Sequence, residues 1–238
     1  MGERWAVKAV FFDLDDTLYE YAPCERAARE ALFARTHALF GTPREAFEAR
    51  FSAARKSVKD RCDTPSGHGR LLYVTELLHG LFEATGARDA SPLAHARELE
   101  EAYWSAYLTT MELRPFAHWL LDELRARGMK IAIVTDLTLD IQLQKLAKLD
   151  LFRRIDALVA SEEVGADKPA RAAFALGAAR LGVPLEACTV VGDNVEKDGA
   201  GAEALGIPYF RARTLAVGEG LTLEEIFDEL VRRNAWTR

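Results

Sequence analysis

Only three cysteines, Cys24, Cys62 and Cys188, are spread over 238 residues, with no CxxC pair and no Cys/His cluster. That excludes a disulfide framework and a recognisable zinc site, and it suits ordinary thiols in a reducing cytosol. The histidines (His37, His68, His79, His95 and His118) show no metal-ligand spacing on a common helix and read as surface residues. Positive charge is the minority sign: 31 Lys and Arg against 37 Asp and Glu leave a net charge of −6. Nucleic-acid and anionic-membrane partners need a positive field, so neither is expected, whereas a small anionic substrate needs only a local positive site. No apolar run approaches the ~18 residues of a membrane span. The opening MGERWAVKAVFF lacks the basic-then-apolar order of a secretory signal, and Ala6 stands where myristoylation would want Ser or Thr. The expectation is a cytoplasmic globular protein; no repeat or low-complexity stretch competes with it, and no feature speaks to oligomeric state.

With 49% hydrophobic and 29% charged residues, the chain can bury a substantial core. Its length allows one large α/β domain or a core carrying an insertion. Short apolar runs at Val7 to Phe12, Ile131 to Val134, Ala157 to Ala160, Thr189 to Val191 and Ile207 to Phe210 read as buried parallel strands. Helical patterns occupy 115–128, 139–149, 170–182, 196–205 and 222–234, with Pro115, Pro169 and Gly182 at starts or stops. This alternation predicts an α/β fold with a doubly wound, Rossmann-like parallel sheet, and ligands beyond the carboxyl ends of its strands. Residues 20–112 instead show helical spacing throughout, with helices expected at 23–40, 43–60, 69–84 and 91–109. Breaks are expected at Gly41-Thr42-Pro43, at Thr64-Pro65-Ser66-Gly67 and from Gly86 to Pro92. The predicted organisation is an α/β core from 1–19 and 113–238, and an inserted helical cap from 20–112.

Chemistry-bearing residues cluster where strands end. The run VKAVFF is followed by Asp13-Leu14-Asp15-Asp16-Thr17, three carboxylates and a hydroxyl that packing does not require. Such a cluster points to a cation or to proton handling, the plain alternative being an acidic loop that caps the next helix. Thr135 ends a second strand, Lys168 precedes Pro169 above the sheet, and Thr189-Val190-Val191-Gly192-Asp193-Asn194-Val195-Glu196-Lys197-Asp198 is another buried strand ending in acids. Asp193 and Asp198 could both approach the carboxyl edge and face Asp13 and Asp15 across a hard cation.

In this order and context, DxDxT at Asp13 to Thr17, Thr135, Lys168 and GDxxxxD from Gly192 to Asp198 resemble the haloacid dehalogenase-like hydrolase superfamily over the whole chain. Residues 20–112 look like the helical cap its members insert after the first motif. The resemblance implies a phosphatase in which Asp13 is the nucleophile and Asp15 the acid and base. It also implies Mg2+ held by Asp13, the Asp15 carbonyl and Asp193, with Lys168 and Thr135 stabilising charge on the phosphoryl oxygens. Thr17 is expected to order the loop. Thr17, Asn194 and Asp198 are placed near the site with roles left open: Asp198 could bind metal through water, pair with Lys168 or cap a helix. Two positions depart from the common pattern. Asp16 stands where many members have glycine, although aspartate tolerates the left-handed turn; Asp136 follows Thr135 where many have asparagine or glycine, adding negative charge at the rim.

Other features read as structural. Gly199-Ala200-Gly201-Ala202-Glu203-Ala204 matches the loose form of a dinucleotide fingerprint, but its glycines fall inside a helical pattern, so no dinucleotide cofactor is expected. Lys56, Lys59, Arg61, His68 and Arg70 read as a solvated helix face, with an anion-holding role as the alternative. Trp104, Tyr107, Phe116 and Trp119 read as packing. The rival functions are a halide-releasing hydrolase or phosphomutase on the same fold, and a non-catalytic module that binds a phosphorylated ligand.

Overall fold

A computed structural model describes residues 7–85, 91–214 and 218–234. In chain order the elements are β1 (Ala9–Phe12), α1 (Tyr21–Phe40), α2 (Arg44–Arg61), α3 (Arg70–Thr85), α4 (Ala96–Thr110), α5 (Ala117–Ala126), β2 (Lys130–Thr135), α6 (Leu139–Lys148), β3 (Ala157–Ala160), α7 (Ser161–Val164), α8 (Arg171–Leu181), β4 (Cys188–Gly192), α9 (Ala200–Leu205), β5 (Tyr209–Arg211) and α10 (Leu223–Arg233). The chain divides into two compact units, Met1–Tyr21 with Glu112–Arg238, and Ala22–Met111. No described helix is long and apolar enough to cross a membrane.

The first unit is an α/β fold around a five-stranded sheet of order β3-β2-β1-β4-β5, every pairing parallel. Its three central strands are buried almost completely, which is why they appear in the sequence as continuous apolar runs instead of alternating ones. Side chains of β1 alternate: Ala9 and Phe11 join a core with Val134, Val190, Phe174 and Ala178, whereas Val10 and Phe12 face the other way. Phe11 and Phe174 lie 6.1 Å apart between ring centres, so α8 is seated on this face.

Element boundaries shift for physical reasons. The last strand begins at Tyr209, later than expected, because Ile207 N still donates to Ala202 O at the end of α9 and Pro208 has no N–H to give. The helix expected from 196 opens as a wide π turn, Val195–Gly199, before α9. The short α7 was not foreseen; four residues are too few for periodicity, and the turn is held by Glu163 Oε1 accepting from Ala160 N.

The second unit is built from α1 to α4, with Phe47, Phe51, Tyr73, Leu77, Leu99 and Tyr103 in its core. The segment Ser91–His95 is a 3-10 turn ahead of α4, and the expected break at Thr64 to Gly67 is also a 3-10 turn, Pro65–His68. Of the break expected from Gly86 to Pro92, residues 86–90 lie outside those described, as do the first six residues of the chain. Lys56, Lys59 and Arg61 are exposed, with Lys56 paired to Asp60 and Arg61 to Glu76. Arg70 is not part of that face. It is buried, donating to Tyr103 Oη at 2.9 Å and His68 O at 2.8 Å, because its guanidinium lies against the rings of Tyr73, Tyr103 and Trp104.

The glycines of the 199–204 segment are explained by packing. A Cβ on Gly201 would stand 2.6 Å from the Phe174 ring, and one on Gly199 would stand 3.1 Å from Tyr209. Gly201→Ala therefore forces α9 away from α8, and the expected cost is about 1–3 kcal/mol of stability. Denaturant unfolding checks this, with an unchanged midpoint as the contrary result.

Candidate active site

Strands β1 and β4 are neighbours with Phe12 opposite Val191, so the residues that follow them leave the sheet side by side. Asp13 N continues the ladder by donating to Val191 O at 2.9 Å. The chain then turns sharply, with Leu18 N donating to Leu14 O at 3.0 Å and Asp16 left-handed at φ 59°. The Asp16 carboxylate accepts from Tyr21 N at 2.9 Å, and Arg114 donates to Asp16 O and pairs with Glu20 at 2.7 Å. Thr17 links the two strand ends: its hydroxyl donates to Asp13 Oδ2 at 3.2 Å and accepts from Asp193 N at 3.1 Å.

Lys168 lies at the centre, buried, with Nζ 2.5 Å from Asp13 Oδ1 and 2.6 Å from Asp198 Oδ1. Of the three roles left open for Asp198, the pairing with Lys168 is the one seen; its Oδ2 also accepts from Asn194 N at 3.2 Å. The π turn brings it there. Asn194 Oδ1 accepts from Glu196 N and Lys197 N, and Asp198 is turned back under Gly192, where any Cβ would stand 2.2 Å from its carboxylate. Only glycine fits at that position. Asp136 does not add free charge at the rim: its carboxylate accepts from Lys168 N at 2.9 Å and from Lys197 Nζ at 2.6 Å, tying the Lys168 loop to the π turn.

Asp13, Asp193 and Asp198 each offer a carboxylate oxygen, and these atoms all lie within 4.8 Å of one another. Three negative groups face one ammonium. Burial, followed by the charges of Asp198 and Asp16, pushes the Asp193 carboxyl up to about 6. Burial also drives Asp13 well above the usual carboxylate range, against the opposing pull of Lys168. Burial alone would lower Lys168, but Asp13 and Asp198 hold it above the ordinary lysine value, so it stays charged. The donor set is all oxygen and short of positive charge, which fits a hard divalent cation.

Asp15 points elsewhere. Both its oxygens accept from Lys145 Nζ, at 2.7 and 2.8 Å, and Oδ1 also accepts from Tyr19 Oη at 2.7 Å. Thr135 ends β2, two residues past the Ile133 that faces Phe12, and its Oγ1 accepts from Gln142 Nε2 at 3.0 Å. Lys145, Tyr19, Gln142, Lys197 and Arg114 were not foreseen. For two of them a signal exists: Gln142 and Lys145 fall on the buried stripe of α6 with Ile141 and Leu146, where a polar side chain has no packing reason to be.

A family model described as haloacid dehalogenase-like hydrolase matches residues 7–206. The chain is 42% identical over 201 residues to the ribulose-1,5-bisphosphate 5-phosphatase of Halopiger xanaduensis, covering 84% of this chain and 82% of that one. It is 30% identical over 237 residues to the phosphoserine phosphatase of Thermus thermophilus, covering 92% of each. A 2-haloacid dehalogenase structure from Pseudomonas syringae superposes with a TM-score of 0.74 at 22% identity, over 95% of this chain and 99% of that one, a likeness of fold alone. Since the match runs from the first strand to the end of α9 and so takes in every strand-end motif of the sheet edge, the chain belongs to the haloacid dehalogenase-like hydrolases and is an enzyme of hydrolytic activity.

Proposed function

We propose that the chain is a phosphomonoester hydrolase acting on a small phosphorylated metabolite through an aspartyl-phosphate on Asp13. The observation that carries this reading is the division of labour between two carboxylates two residues apart: Asp13 is buried and paired with Lys168, while Asp15 is turned to a separate set of donors. The two relatives named above act on phosphate esters of small molecules, which supports the same class here.

In the first step an oxygen of Asp13 bonds to phosphorus as the bond to the leaving oxygen breaks, and Asp15 gives that oxygen its proton. In the second, water attacks the same phosphorus, its proton passes to Asp15, and the bond to Asp13 breaks. Asp15 is thus returned to its starting form. Lys168 balances charge on Asp13 and the phosphoryl oxygens, with Thr135 as a further hydrogen-bond donor. Mg2+, which Asp13, Asp193 and the Asp15 carbonyl would hold with Asp198 close by, would supply the positive charge that lets a carboxylate approach a phosphate dianion. A halide leaves without a proton, so a supported Asp15 is explained by an alkoxide leaving group and not by dehalogenation.

Release of inorganic phosphate from a panel of small phosphomonoesters tests this. Magnesium-dependent release, lost in EDTA and abolished in Asp13→Asn with folding retained, is the expected result; a folded wild type that frees phosphate from no ester, or frees halide instead, overturns the reading.

The carboxylate cluster makes a second expectation. Without a metal, burial and the neighbouring carboxylates push Asp193 up to about 6, against ~3.9 in an unfolded chain. The fold therefore keeps a proton that the unfolded chain releases, and this contribution to stability is present at low pH and lost as pH rises from about 4 to about 6. Metal-free Asp193→Asn should melt higher than wild type at about pH 8, with the difference closing near pH 4, and magnesium should stabilise the wild type more than the variant. Parallel melting curves at both pH values would show that the cluster is not under charge strain.

A further inference from the structure

We infer that Lys145 is a positioning residue for Asp15: with Tyr19 it clamps the carboxylate so that Oδ2 is the atom through which the proton passes. The inference rests on the phosphatase reading and names a part of that machinery outside the strand-end motifs. Lys145 lies on α6 between Gln142 and Leu146, with its side chain 1% exposed, whereas that of Asp15 is 31% exposed. Nothing in the packing calls for an ammonium on a buried helix face, and stripping one of water is costly unless it is paired. It is paired with both oxygens of Asp15, at 2.7 and 2.8 Å, and its Nζ stands 5.7 Å from the centre of the Tyr19 ring.

The donors are not shared equally. Oδ1 receives Tyr19 Oη and Lys145 Nζ, while among the described residues Oδ2 receives Lys145 alone. Each carboxylate oxygen has about two acceptor positions, so Oδ1 is filled and Oδ2 keeps one free. A carboxylate this exposed would otherwise turn between orientations; two donors on separate elements fix it. The same face of α6 also holds Thr135 through Gln142 Nε2, so one helix orients two groups at the sheet edge. During transfer the O–H bond at Oδ2 breaks as the proton moves to the leaving oxygen, and Lys145 keeps its own protons throughout.

A role in aiming a proton donor matters only where the leaving group needs a proton. The test is Lys145→Met, compared with wild type on the best alkyl phosphate of the panel and on 4-nitrophenyl phosphate, whose leaving group departs as an anion. Because kcat/KM reports the steps up to phosphoryl transfer, the alkyl ester should lose about 100-fold and the aryl ester under about 5-fold, with the loss in kcat and not in KM. Equal losses on both esters, or none on the alkyl ester, overturn the inference while leaving the phosphatase reading intact. Should Lys145→Met fail to fold, Tyr19→Phe removes one donor at constant shape and must show the same leaving-group dependence, or the inference fails. A wild type that hydrolyses neither ester overturns both.

Discussion

The Lys168 ammonium, held between Asp13 and Asp198 at 2.5 and 2.6 Å, is the contact on which the sheet edge depends. Parallel strands deliver their following residues to the same edge, so acids after β1 and β4 are forced together whatever their mutual repulsion. One buried cation between two of them makes the arrangement tolerable, and the rest of the loop structure serves to keep that cation in place. Asp136 accepts from the Lys168 backbone and from Lys197, Thr17 joins Asp13 to the Asp193 backbone, and Gly192 leaves room for Asp198 beneath it. Removing any of these would loosen a charged group rather than an apolar one, in a place where an unpaired charge is expensive.

The balance is deliberately incomplete in electrostatic terms. One oxygen from each of three carboxylates lies within 4.8 Å of the others beside one ammonium, and burial, joined by the neighbouring carboxylates, raises Asp13 and Asp193 above the usual carboxylate range. A site that needed only to be stable would have neutralised it with a second lysine or dropped an acid. Retaining it leaves a place that could hold a cation, whose binding would relieve repulsion that the protein otherwise bears. The location follows from topology. The chain runs outward from β1 to β3 and then returns to the other side of β1 with β4, so the crevice where strand order reverses lies between the two strands that carry the acids.

How much of this could be read from the residues divides along one line. Groups that directly follow a buried strand were legible, because an apolar run fixes the strand, the strand fixes the edge, and a carboxylate there has no packing reason to exist. Asp13 and Asp193 belong to that set, as does the left-handed turn at Asp16, whereas Lys168 was legible only through the proline that follows it. Contacts that join distant elements were not. Asp15 and Lys145 are 130 residues apart, and Arg114 reaches Asp16 from 98 residues away, so only the fold makes them neighbours. The wide turn at Val195–Gly199 was also hidden, since a helical pattern does not distinguish a π turn from an α turn, and what selects it here is the Asn194 cap and the Asp198 side chain tucked under Gly192. Gly199 and Gly201 match the spacing of a dinucleotide fingerprint, but their place inside a helical pattern separates them from a strand-to-helix turn, and the structure packs them against Tyr209 and Phe174.

Two aspartates two residues apart on one turn would be expected to behave alike, yet their surroundings separate them. Asp13 is 7% exposed, with its oxygens taken by Lys168 and Thr17, so water competes little for it and its charge is held by a fixed partner. Asp15 is about a third exposed and reaches solvent, with donors from α6 and from the turn itself. A nucleophile benefits from the first environment, because a carboxylate stripped of water is ready to bond to phosphorus; a proton carrier requires the second, because it must exchange with water between steps. The fold is shared by hydrolases of different chemistry, so it does not by itself choose among them. The second environment bears on that choice: an alkoxide leaving group needs a proton and a halide does not, so a partly exposed, separately supported Asp15 fits the phosphatase reading.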